Sequence, residues 1–498
     1  MGATIRAVPL RTALTFAVLM VWLIAIAFVR QLSIDESQYV AAAVLTSEGL
    51  LPYRDYAYLQ TPLQPFAFAP LQWLFAGHVL IAMRFANAML GAATIMLVFG
   101  AARRMGATDR AALAFAAMLA ACEAFTWSVG VARNDMLPAM LMMLGLFAIA
   151  KGETRLRMVG AGLALGLAAG VKISYAVPAA AVFLASVWTR DAAERRNALW
   201  FAAGLAAGLL PSLILILLAP RAFLAEAIVF PATGPEQYYT EIGKAWRLGP
   251  NRFFRLLIAA AIGPALIASI EVMARSWAEP RRWLGDRSRR VMLAASLGGV
   301  ISAALNRPFQ IFYLLPALPP LFVLAALLFS ESKRRAAWLR ALWALSVGAG
   351  LLPVAAWIVH AASAGTTPAL DAQRRADALG AALRAQHISG PIATLAGQYV
   401  PDAKADIDRR FAPGPFLYRT RGFISSGQAR EWRVVTRDQA GSLSDQPPAA
   451  IVTGDFPDAQ PELEAELAVQ AEALGYRQAA NAGGFAVWTR PSPTAQRP

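Results

Sequence analysis

The sequence predicts an α-helical, multi-pass membrane protein that ends in a small soluble α/β domain. Of its 498 residues, 57% are hydrophobic and only 15% are charged, whereas charged residues make up about 25% of soluble domains. Apolar stretches of about 20 residues, long enough to cross a bilayer as a helix, recur between Leu14 and Val359. The composition becomes polar after Ala361. We therefore divide the chain into a membrane domain, residues 1–365, and a soluble domain, residues 366–498.

The apolar stretches predict about eleven membrane spans. Segment 157–189 is interpreted as two short helices because Gly170 and Lys172 interrupt it; one long kinked span is the alternative and would invert the topology downstream. Gly162, Gly166 and Gly170 recur every fourth residue and predict close packing against a neighbouring helix. The predicted spans are 12–30, 79–101, 111–128, 135–150, 157–170, 173–189, 197–218, 252–273, 291–305, 310–330 and 341–362.

The net charge of +15 does not indicate nucleic-acid binding, because Lys and Arg gather in short loops between apolar stretches. That distribution is typical of cytoplasmic loops in membrane proteins. It places the loop at residues 31–78 and the C-terminal domain on the non-cytoplasmic side. The basic segments are Arg103–Arg110, Lys151–Arg157, Arg190–Arg196, Arg275–Arg290 and Lys333–Arg340.

The N-terminal segment and the scarce metal-binding residues bear on processing and cofactors. Arg6, Arg11 and the following apolar run resemble a signal peptide. We favour an uncleaved first span, because the run is long for a signal peptide and cleavage would release the following loop from its anchor.

Cys122 is the only cysteine and three histidines lie far apart. A disulfide within the chain and a Cys-based zinc site are excluded, and neither a metal nor another cofactor is expected.

Two adjacent carboxylates, Asp35 and Glu36, directly follow the first apolar span. Charged groups at a membrane edge are costly and commonly mark function. Ser33 and Glu36 match a helix capping box, so a helix over 34–48 is predicted to lie along the membrane surface. The face of this helix would carry Tyr39, Ala42, Ala43 and Thr46. Capping alone would also explain Glu36, and an interaction with the helix dipole would explain Asp35.

The C-terminal domain is predicted to mix strands and helices. A helix over Pro461–Leu474 begins with proline and ends before Gly475, and Gly483 and Gly484 predict a turn. The tail after Pro491 is expected to be disordered. The predicted strands are Ile392–Leu395, Trp432–Val435, Ala450–Thr453 and Phe485–Thr489.

The predicted non-cytoplasmic side collects carboxylates surrounded by cations. A carboxylate can accept a proton from an attacking hydroxyl, while Arg and Lys can neutralise a departing phosphate. Simpler explanations exist: Asp135 can cap a helix, Arg84, Arg133 and Lys172 can reach lipid head groups, and Tyr313 can serve packing alone. Arg54, Asp55 and Arg307 can pair with one another. The charged residues that we select on this side are Asp35, Glu36, Arg54, Asp55, Arg84, Arg133, Asp135, Lys172 and Arg307.

Several short motifs follow one another along residues 10–330. They are Asp35-Glu36, Gly49-x-x-Pro52-Tyr53-x-Asp55, Arg84, Arg133-x-Asp135, Lys172 after a glycine-rich span, and Tyr313-Leu314-Leu315-Pro316 before Pro319-Pro320. Their order resembles that in the GT-C membrane glycosyltransferases, especially bacterial relatives of protein O-mannosyltransferases and lipid A aminoarabinose transferases. Ser37, often glycine in such loops, and Gln38 depart from the pattern. The C-terminal domain adds nothing to the resemblance.

The resemblance implies sugar transfer from a polyprenyl-phosphate donor on the periplasmic face of the bacterial inner membrane. The acceptor would be a lipid, a glycan or a protein. Asp35 would be the general base of a single, inverting displacement, with Glu36 and Asp135 as further catalytic carboxylates. The donor phosphate would contact Arg84, Arg133, Lys172 and Arg307, and the substrates would contact Tyr53, Arg54, Asp55 and Tyr313.

The sequence is also compatible with two other functions. A transporter or flippase for a lipid-linked sugar would place charged sites near the bilayer midplane, within repeated halves. The charges here lie at predicted span ends and the sequence shows no such repeat. An anchor for the C-terminal domain would leave the charges unexplained.

Overall fold

The computed structural model describes residues 10–150, 152, 154–189, 191–331, 337–454 and 459–491. The tail after Pro491, which we expected to be disordered, lies outside the described residues. So do Arg6 and parts of three predicted basic loops, at Lys151, Arg190 and Lys333–Arg335.

Apolar helices make up the first part of the chain, and each predicted span coincides with a helix or a bent helix pair. The two bent pairs are Asp109–Leu119 with Glu123–Val129, at 66°, and Asn251–Ala261 with Ala265–Ala278, at 100°. Two of the other helices, Ala176–Val187 and Leu318–Glu331, directly follow the 3₁₀ segments Ile173–Tyr175 and Ile311–Ala317, respectively. Those others are Leu10–Val29, Val79–Arg104, Met136–Ile149, Arg155–Val171, Ala176–Val187, Ala192–Leu218, Arg287–Leu305, Leu318–Glu331 and Ala337–Ala364.

The helices describe a multi-pass membrane protein. Among the described residues, five helices are long and apolar enough to cross a bilayer, or seven if each bent pair is one span. Met136–Ile149 and Ile173–Val187 are shorter apolar helices. The total of about eleven spans stays a prediction.

The glycine repeat packs one membrane helix tightly against another. A Cβ atom on Gly162 would overlap the carbonyl oxygen of Phe201, and one on Gly166 would overlap that of Leu205. Helix Arg155–Val171 therefore touches helix Ala192–Leu218 backbone to backbone, and the predicted close packing is confirmed.

Two helical segments lie where we predicted loops. Leu63–Leu74 lies within the predicted loop at residues 31–78. Phe230–Glu241 lies between the predicted spans 197–218 and 252–273. Pro65 and Pro231 stand in the first turns of these helices, where a missing backbone N–H breaks no hydrogen bond. The remaining helical segments of this part are Pro220–Phe223, the π-helical Leu224–Val229, the 3₁₀ turn Ala245–Leu248, and Pro280–Gly285.

The acidic helix is buried on all sides within the protein, and its position along the membrane surface stays a prediction. It spans Glu36–Ser47, and every residue from Glu36 to Thr46 is buried. The C-terminal domain covers it: a Cβ on Gly397 would lie 3.3 Å from the Ser37 carbonyl oxygen. Only half of the capping box forms, in which the Ser33 amide donates to Glu36 Oε2 at 2.8 Å.

The C-terminal residues form a small α/β unit, as predicted. Its five strands are β1, Pro391–Ala393; β2, Asp406–Ile407; β3, Ala450–Gly454; β4, Arg477–Ala482; and β5, Phe485–Thr489. They are ordered β2-β1-β3-β5-β4, and β1 pairs in parallel with β2 and β3 while β5 pairs antiparallel with β3 and β4. The helical segments are Pro368–Ala385, Arg409–Phe411, Pro415–Tyr418, Ser426–Trp432, Arg437–Ser444 and Pro461–Ala473.

The predicted strand Trp432–Val435 is wrong. Trp432 ends a helix, and Arg433 adopts a left-handed conformation with φ 53° that turns the chain. Val434 and Val435 are buried in an irregular segment, so their apolar character reflects burial and not pairing in the sheet. β2 and β4 were not predicted, because β2 has two residues and β4 is a polar edge strand.

Candidate active site

A cavity of about 420 Å³ lies where the acidic loop, helix Phe230–Glu241, the segment after helix Arg287–Leu305 and the C-terminal domain meet. Four predicted site residues line it: Asp35, Arg133, Arg307 and Tyr313. A larger groove of about 1000 Å³ lies on the C-terminal domain but contains no predicted site residue. The predicted residues that do not line the smaller cavity are Glu36, Tyr53, Arg54, Asp55, Arg84, Asp135 and Lys172.

Asp35 combines a fixed counter-ion with access to the cavity. Its carboxylate pairs with the guanidinium of Arg133, and 21% of its side chain is exposed. The side chain of Arg133 is almost completely buried. Because Asp35 immediately precedes helix Glu36–Ser47, the buried helix holds its backbone in place. A carboxylate so placed can accept a proton from a group that enters the cavity.

Behind Asp35, opposite charges alternate along a buried chain. Arg133 Nε donates to Asp135 Oδ2 at 3.1 Å, and Lys172 Nζ donates to Asp135 Oδ1. Asp135 and Lys172 are buried away from the cavity. Asp135 thus supports Arg133 and is itself compensated by Lys172. The catalytic role of Asp135 and the phosphate contact of Lys172 stay predictions.

Aromatic rings surround the Arg133 guanidinium. Its Cζ atom lies 3.8 Å from the ring centroid of Phe312, 5.0 Å from Trp127 and 5.6 Å from Tyr39. A cation over aromatic faces is stabilised by about 0.5–2 kcal/mol per contact, and rings on these sides exclude water. The ion pair with Asp35 is therefore less screened than one in open solvent.

Glu36 and Arg84 form a buried ion pair, which argues against both of their predicted roles. Arg84 donates to Glu36 at 2.8 and 2.7 Å, and its other N–H groups reach the carbonyl oxygens of Ala27, Arg30 and Gln31. Glu36 also accepts from two backbone amides. All five N–H donors of Arg84 are occupied. Neither side chain is available to a substrate, because their partners lie within the protein.

Tyr53, Arg54 and Asp55 stabilise a turn, and their predicted substrate contacts stay predictions. Asp55 Oδ2 accepts from the Leu51 amide at 2.9 Å and from Arg54. The Tyr53 hydroxyl donates to a backbone carbonyl. Partial burial by itself raises the pKa of Asp55, but the hydrogen bonds from Arg54 and Leu51 bring it below its ordinary value. Arg433 of the C-terminal domain lies 3.5 Å from Asp55, which ties the turn to that domain.

Two cations that we did not predict line the cavity beside Arg307. They are Lys244 and Arg247, at the end of the segment that follows helix Phe230–Glu241. In the described parts of the chain, none of these three cations forms an ion pair. The Nε atom of Arg247 is buried without a hydrogen-bond partner. A basic cluster on the side predicted to face away from the cytoplasm departs from the positive-inside distribution, and that departure is the signal that sequence reasoning missed.

The C-terminal domain supplies the remaining wall, with Phe416, Arg419 and Gln460. No feature of the sequence pointed to these residues, because the contact joins segments far apart in the chain. The residues that the structure describes contain no group of three or more His, Cys, Asp or Glu side chains that could hold a metal ion.

Comparison with known proteins identifies the fold. Residues 58–308 match the family model of Glycosyltransferase family 87. ArnT from Cupriavidus metallidurans bound to undecaprenyl phosphate superposes with a TM-score of 0.61 at 18% identity, over 96% of this chain and 99% of that one. The apo state of the same protein gives 0.61 at 17% identity with the same coverage. These matches confirm the predicted GT-C-like fold.

A weaker structural likeness extends to the Archaeoglobus fulgidus oligosaccharyltransferase tethered with an acceptor peptide. Its TM-score is 0.47 at 14% identity, over 96% of this chain and 74% of that one. Among curated protein sequences, none matches the chain.

Proposed function

The chain belongs to glycosyltransferase family 87, and from this premise we propose that it transfers a sugar from a polyprenyl monophosphate to an acceptor hydroxyl or amine. The similar fold of ArnT, which was crystallised with undecaprenyl phosphate, supports a donor of this class. Membership of a glycosyltransferase family favours an enzyme over the transporter or anchor considered from the sequence.

The observation that carries the proposal is the placement of Asp35 in one cavity with unpaired cations. Asp35 presents a partly exposed carboxylate, and Lys244, Arg247 and Arg307 line the same cavity without ion-pair partners in the described residues. A transfer from a sugar phosphate needs both features, a proton acceptor for the nucleophile and positive charge for the leaving group.

Asp35 is the general base in this mechanism. It accepts the proton of the acceptor hydroxyl as the oxygen attacks the anomeric carbon from the face opposite the phosphate. The new C–O bond forms while the bond between the anomeric carbon and the phosphate oxygen breaks, so the configuration inverts. The polyprenyl phosphate leaves with the bonding electron pair, and Asp35 later releases its proton to water.

Lys244, Arg247 and Arg307 stabilise the departing phosphate. Arg can contact two phosphate oxygens at once, and Lys supplies a compact charge. Arg307 keeps the role that the sequence suggested, whereas Lys244 and Arg247 replace Arg84 and Lys172. Fixed cations can neutralise a monophosphate without a metal ion. Tyr313, which also lines the cavity, contacts the sugar.

Arg133 is a positioning residue. It holds Asp35 from the protein side and is itself held by Asp135, which Lys172 compensates. Close positive charge keeps a carboxylate ionised and therefore ready to accept a proton. The chain of charges links the ends of three helices, at Asp35, Asp135 and Lys172, so it holds Asp35 at the wall of the cavity.

The donor enters from the membrane beside helix Asn251–Ala261. This helix bends by 100° into the next one and exposes Phe253, Phe254 and Leu257. An apolar face combined with basic residues is typical of helices that lie in the membrane interface. Lys244 and Arg247 immediately precede this helix, at the level where a lipid phosphate would lie.

The distribution of basic loops supports the proposed location. The membrane domain, residues 1–365, spans the bacterial inner membrane, and the cavity and the soluble domain, residues 366–498, face the periplasm. The acceptor is a lipid, a glycan or a protein.

The deciding experiment supplies the purified full-length chain with a radiolabelled polyprenyl-phosphate sugar and envelope acceptors. Formation of a new glycosidic bond that depends on Asp35 would support the proposal. Labelled donor that crosses a vesicle membrane without any transfer would contradict it.

A further inference from the structure

The wall that the C-terminal domain contributes to the cavity contains a buried guanidinium. Arg419 is 8% exposed and lines the cavity next to Phe416 and Tyr238. Its Cζ atom lies 4.2 Å from the ring centroid of Tyr238 and 4.9 Å from that of Phe416. This residue belongs to no motif considered above.

Arg419 has no anionic partner within the described residues. Its side chain donates no hydrogen bond to any residue that the structure describes, and its Nε atom is buried without an acceptor among them. Burial lowers the pKa of Arg419, because a guanidinium loses hydration there. A buried charge is costly unless it is paired, and contact with two aromatic faces offsets only part of that cost. A ligand that accepts hydrogen bonds from the Arg419 guanidinium would therefore stabilise it.

Two amide oxygens in the same cavity are also without partners. Gln38 is 5% exposed, and its Oε1 atom accepts no hydrogen bond. Gln460 Oε1, which comes from the C-terminal domain, is likewise buried and unpartnered. Gln38 lies one helical turn after Asp35, so a ligand bound to it is next to the proposed base. Amide oxygens can accept from sugar or glycerol hydroxyls.

Contacts around Arg419 hold its backbone rigidly. Arg437 donates to the Arg419 carbonyl oxygen at 2.8 Å and pairs with Glu241 at 2.6 Å. Gln237 donates to the carbonyl oxygen of Arg421. The C-terminal domain is thereby fixed to helix Phe230–Glu241, which carries Tyr238. Arg419 is thus held in place without help from its own guanidinium.

We propose that Arg419 binds an anionic group of the acceptor, a phosphate or a carboxylate, while Gln38 and Gln460 accept hydrogen bonds from its hydroxyls. The inference rests on the proposed transferase function and names the class of acceptor, an anionic glycan or lipid head group.

The location assigns this subsite to the acceptor. The donor is anchored in the bilayer, and Lys244, Arg247 and Arg307 adjoin membrane helices, where its phosphate arrives. Arg419 belongs to the soluble domain, and Gln38 connects it to the base that deprotonates the acceptor. The C-terminal domain therefore selects the acceptor by charge.

The test measures binding to the full-length protein in detergent, with undecaprenyl phosphate present at saturation so that the donor site is filled. Glycerol 3-phosphate and glucuronate probe the subsite, and glycerol and glucose are their neutral counterparts. We expect the wild type to bind at least one of the anionic probes and neither neutral one. Hydrogen bonds to a charged group contribute about 1.5–3 kcal/mol, so Arg419→Gln should weaken that binding about 10- to 100-fold.

The matched control is Arg430→Gln, which changes an exposed arginine of the same domain and should leave probe binding unchanged. Comparison of the two anionic probes shows whether phosphate or carboxylate is preferred. An equal loss in both variants, or no loss in Arg419→Gln, would overturn the inference. A loss of undecaprenyl phosphate binding in Arg419→Gln would also overturn it, because Arg419 would then belong to the donor site.

A stability measurement separates binding from structure. Arg419→Met removes a buried, unpaired charge, so the ligand-free variant should melt at the same temperature as the wild type or higher. A lower melting temperature combined with unchanged probe binding would show a structural role and refute the inference. These readouts need no turnover, so the inference and the proposed transfer can fail independently of each other.

Discussion

The carboxylate of Asp35 is paired with the guanidinium of Arg133, and the same guanidinium donates its Nε–H to Asp135 at 3.1 Å. Asp35 thus meets the cavity with one side and a buried, aromatic-lined cation with the other. The pair joins the loop after the first span to the segment before helix Met136–Ile149. This contact fixes the side chain of the proposed base, while the buried helix holds its backbone.

Asp35→Asn should lower sugar transfer about 100- to 10,000-fold, the usual contribution of a general base. The amide has nearly the same shape, so expression and melting temperature should stay near the wild-type values. Transfer of radiolabelled sugar measures the effect. Asp55→Asn serves as the control because Asp55 lies outside the cavity, and near-normal transfer by Asp35→Asn would refute the mechanism.

Arg133→Lys keeps one positive charge but cannot bridge two carboxylates with a planar fork. We expect kcat to fall by about tenfold or more, while KM for the donor changes little, because Arg133 acts through Asp35. The pH profile of kcat should shift as well. A change confined to donor KM would instead make Arg133 a phosphate contact.

Arg307→Ala and Lys244→Ala should impair use of the donor more than use of the acceptor. Each removes a charge-assisted contact of about 1.5–3 kcal/mol, which corresponds to a loss of about 10- to 100-fold in kcat/KM for the donor. Steady-state kinetics with each substrate varied in turn measures this difference. Arg54→Ala is the control, because Arg54 is predicted to lie on the same side of the membrane but does not line the cavity. An equal loss in kcat/KM for donor and acceptor would argue against phosphate binding by Arg307 and Lys244.

Arg84→Met should destabilise the protein, not weaken donor binding. It leaves Glu36 charged and buried, and breaking a buried pair from one side costs about 3–5 kcal/mol. Thermal unfolding in detergent should show a much lower melting temperature. The double variant Glu36→Gln/Arg84→Met should lose less than the sum of the single variants, since the two side chains share one interaction. A stable Arg84→Met protein with poor donor affinity would contradict this assignment.

The contact between Asp402 and helix Val79–Arg104 should make stability depend on pH. Asp402 accepts hydrogen bonds from the amides of Val79 and Leu80 at 2.6 and 3.4 Å. Burial raises its pKa to about 6 despite these bonds and the nearby His78, compared with about 3.9 in an unfolded chain. The folded state therefore holds this proton more tightly, and its contribution to stability falls as the pH rises from about 4 to about 6.

Melting temperatures of the wild type and Asp402→Asn at several pH values test that dependence. Asparagine can still accept from an amide but does not titrate. The wild type should gain stability relative to the variant when the pH falls from 7 to 5. A difference that is constant across this range would show that Asp402 does not titrate there.

Much of the fold could be predicted because it follows from local properties. Runs of apolar residues marked the membrane helices, and the glycine spacing marked a close helix contact. Prediction failed where neighbouring elements decide the outcome. The helix at Glu36–Ser47 is buried because distant parts of the chain, the C-terminal domain among them, pack around it. Val434 and Val435 resemble a strand in sequence because they are apolar. Their apolar character reflects burial in an irregular segment and not pairing in the sheet.

The candidate site divides in the same way. Sequence reasoning selected Asp35, Arg133 and Arg307, which line one cavity, because charges beside apolar spans are costly and therefore conspicuous. Tyr313, which lines the same cavity, was selected through the motif that it shares with the GT-C family. Sequence reasoning also selected Glu36 and Arg84, because their charges are costly in the same way. Cost identifies a charge that needs a partner, but it does not say whether the partner is a substrate or another side chain.

By itself, the sequence determined that this is a multi-pass helical membrane protein with a small α/β domain, and that an acidic pair follows its first span. The tertiary structure alone decided that Arg84 pairs with Glu36, that Arg133 holds Asp35, and that Arg419 closes the cavity from the far end of the chain. Hydropathy and helical periodicity are properties of neighbouring residues. The state of a charge depends on what surrounds it in space, and folding brings those surroundings together from distant segments.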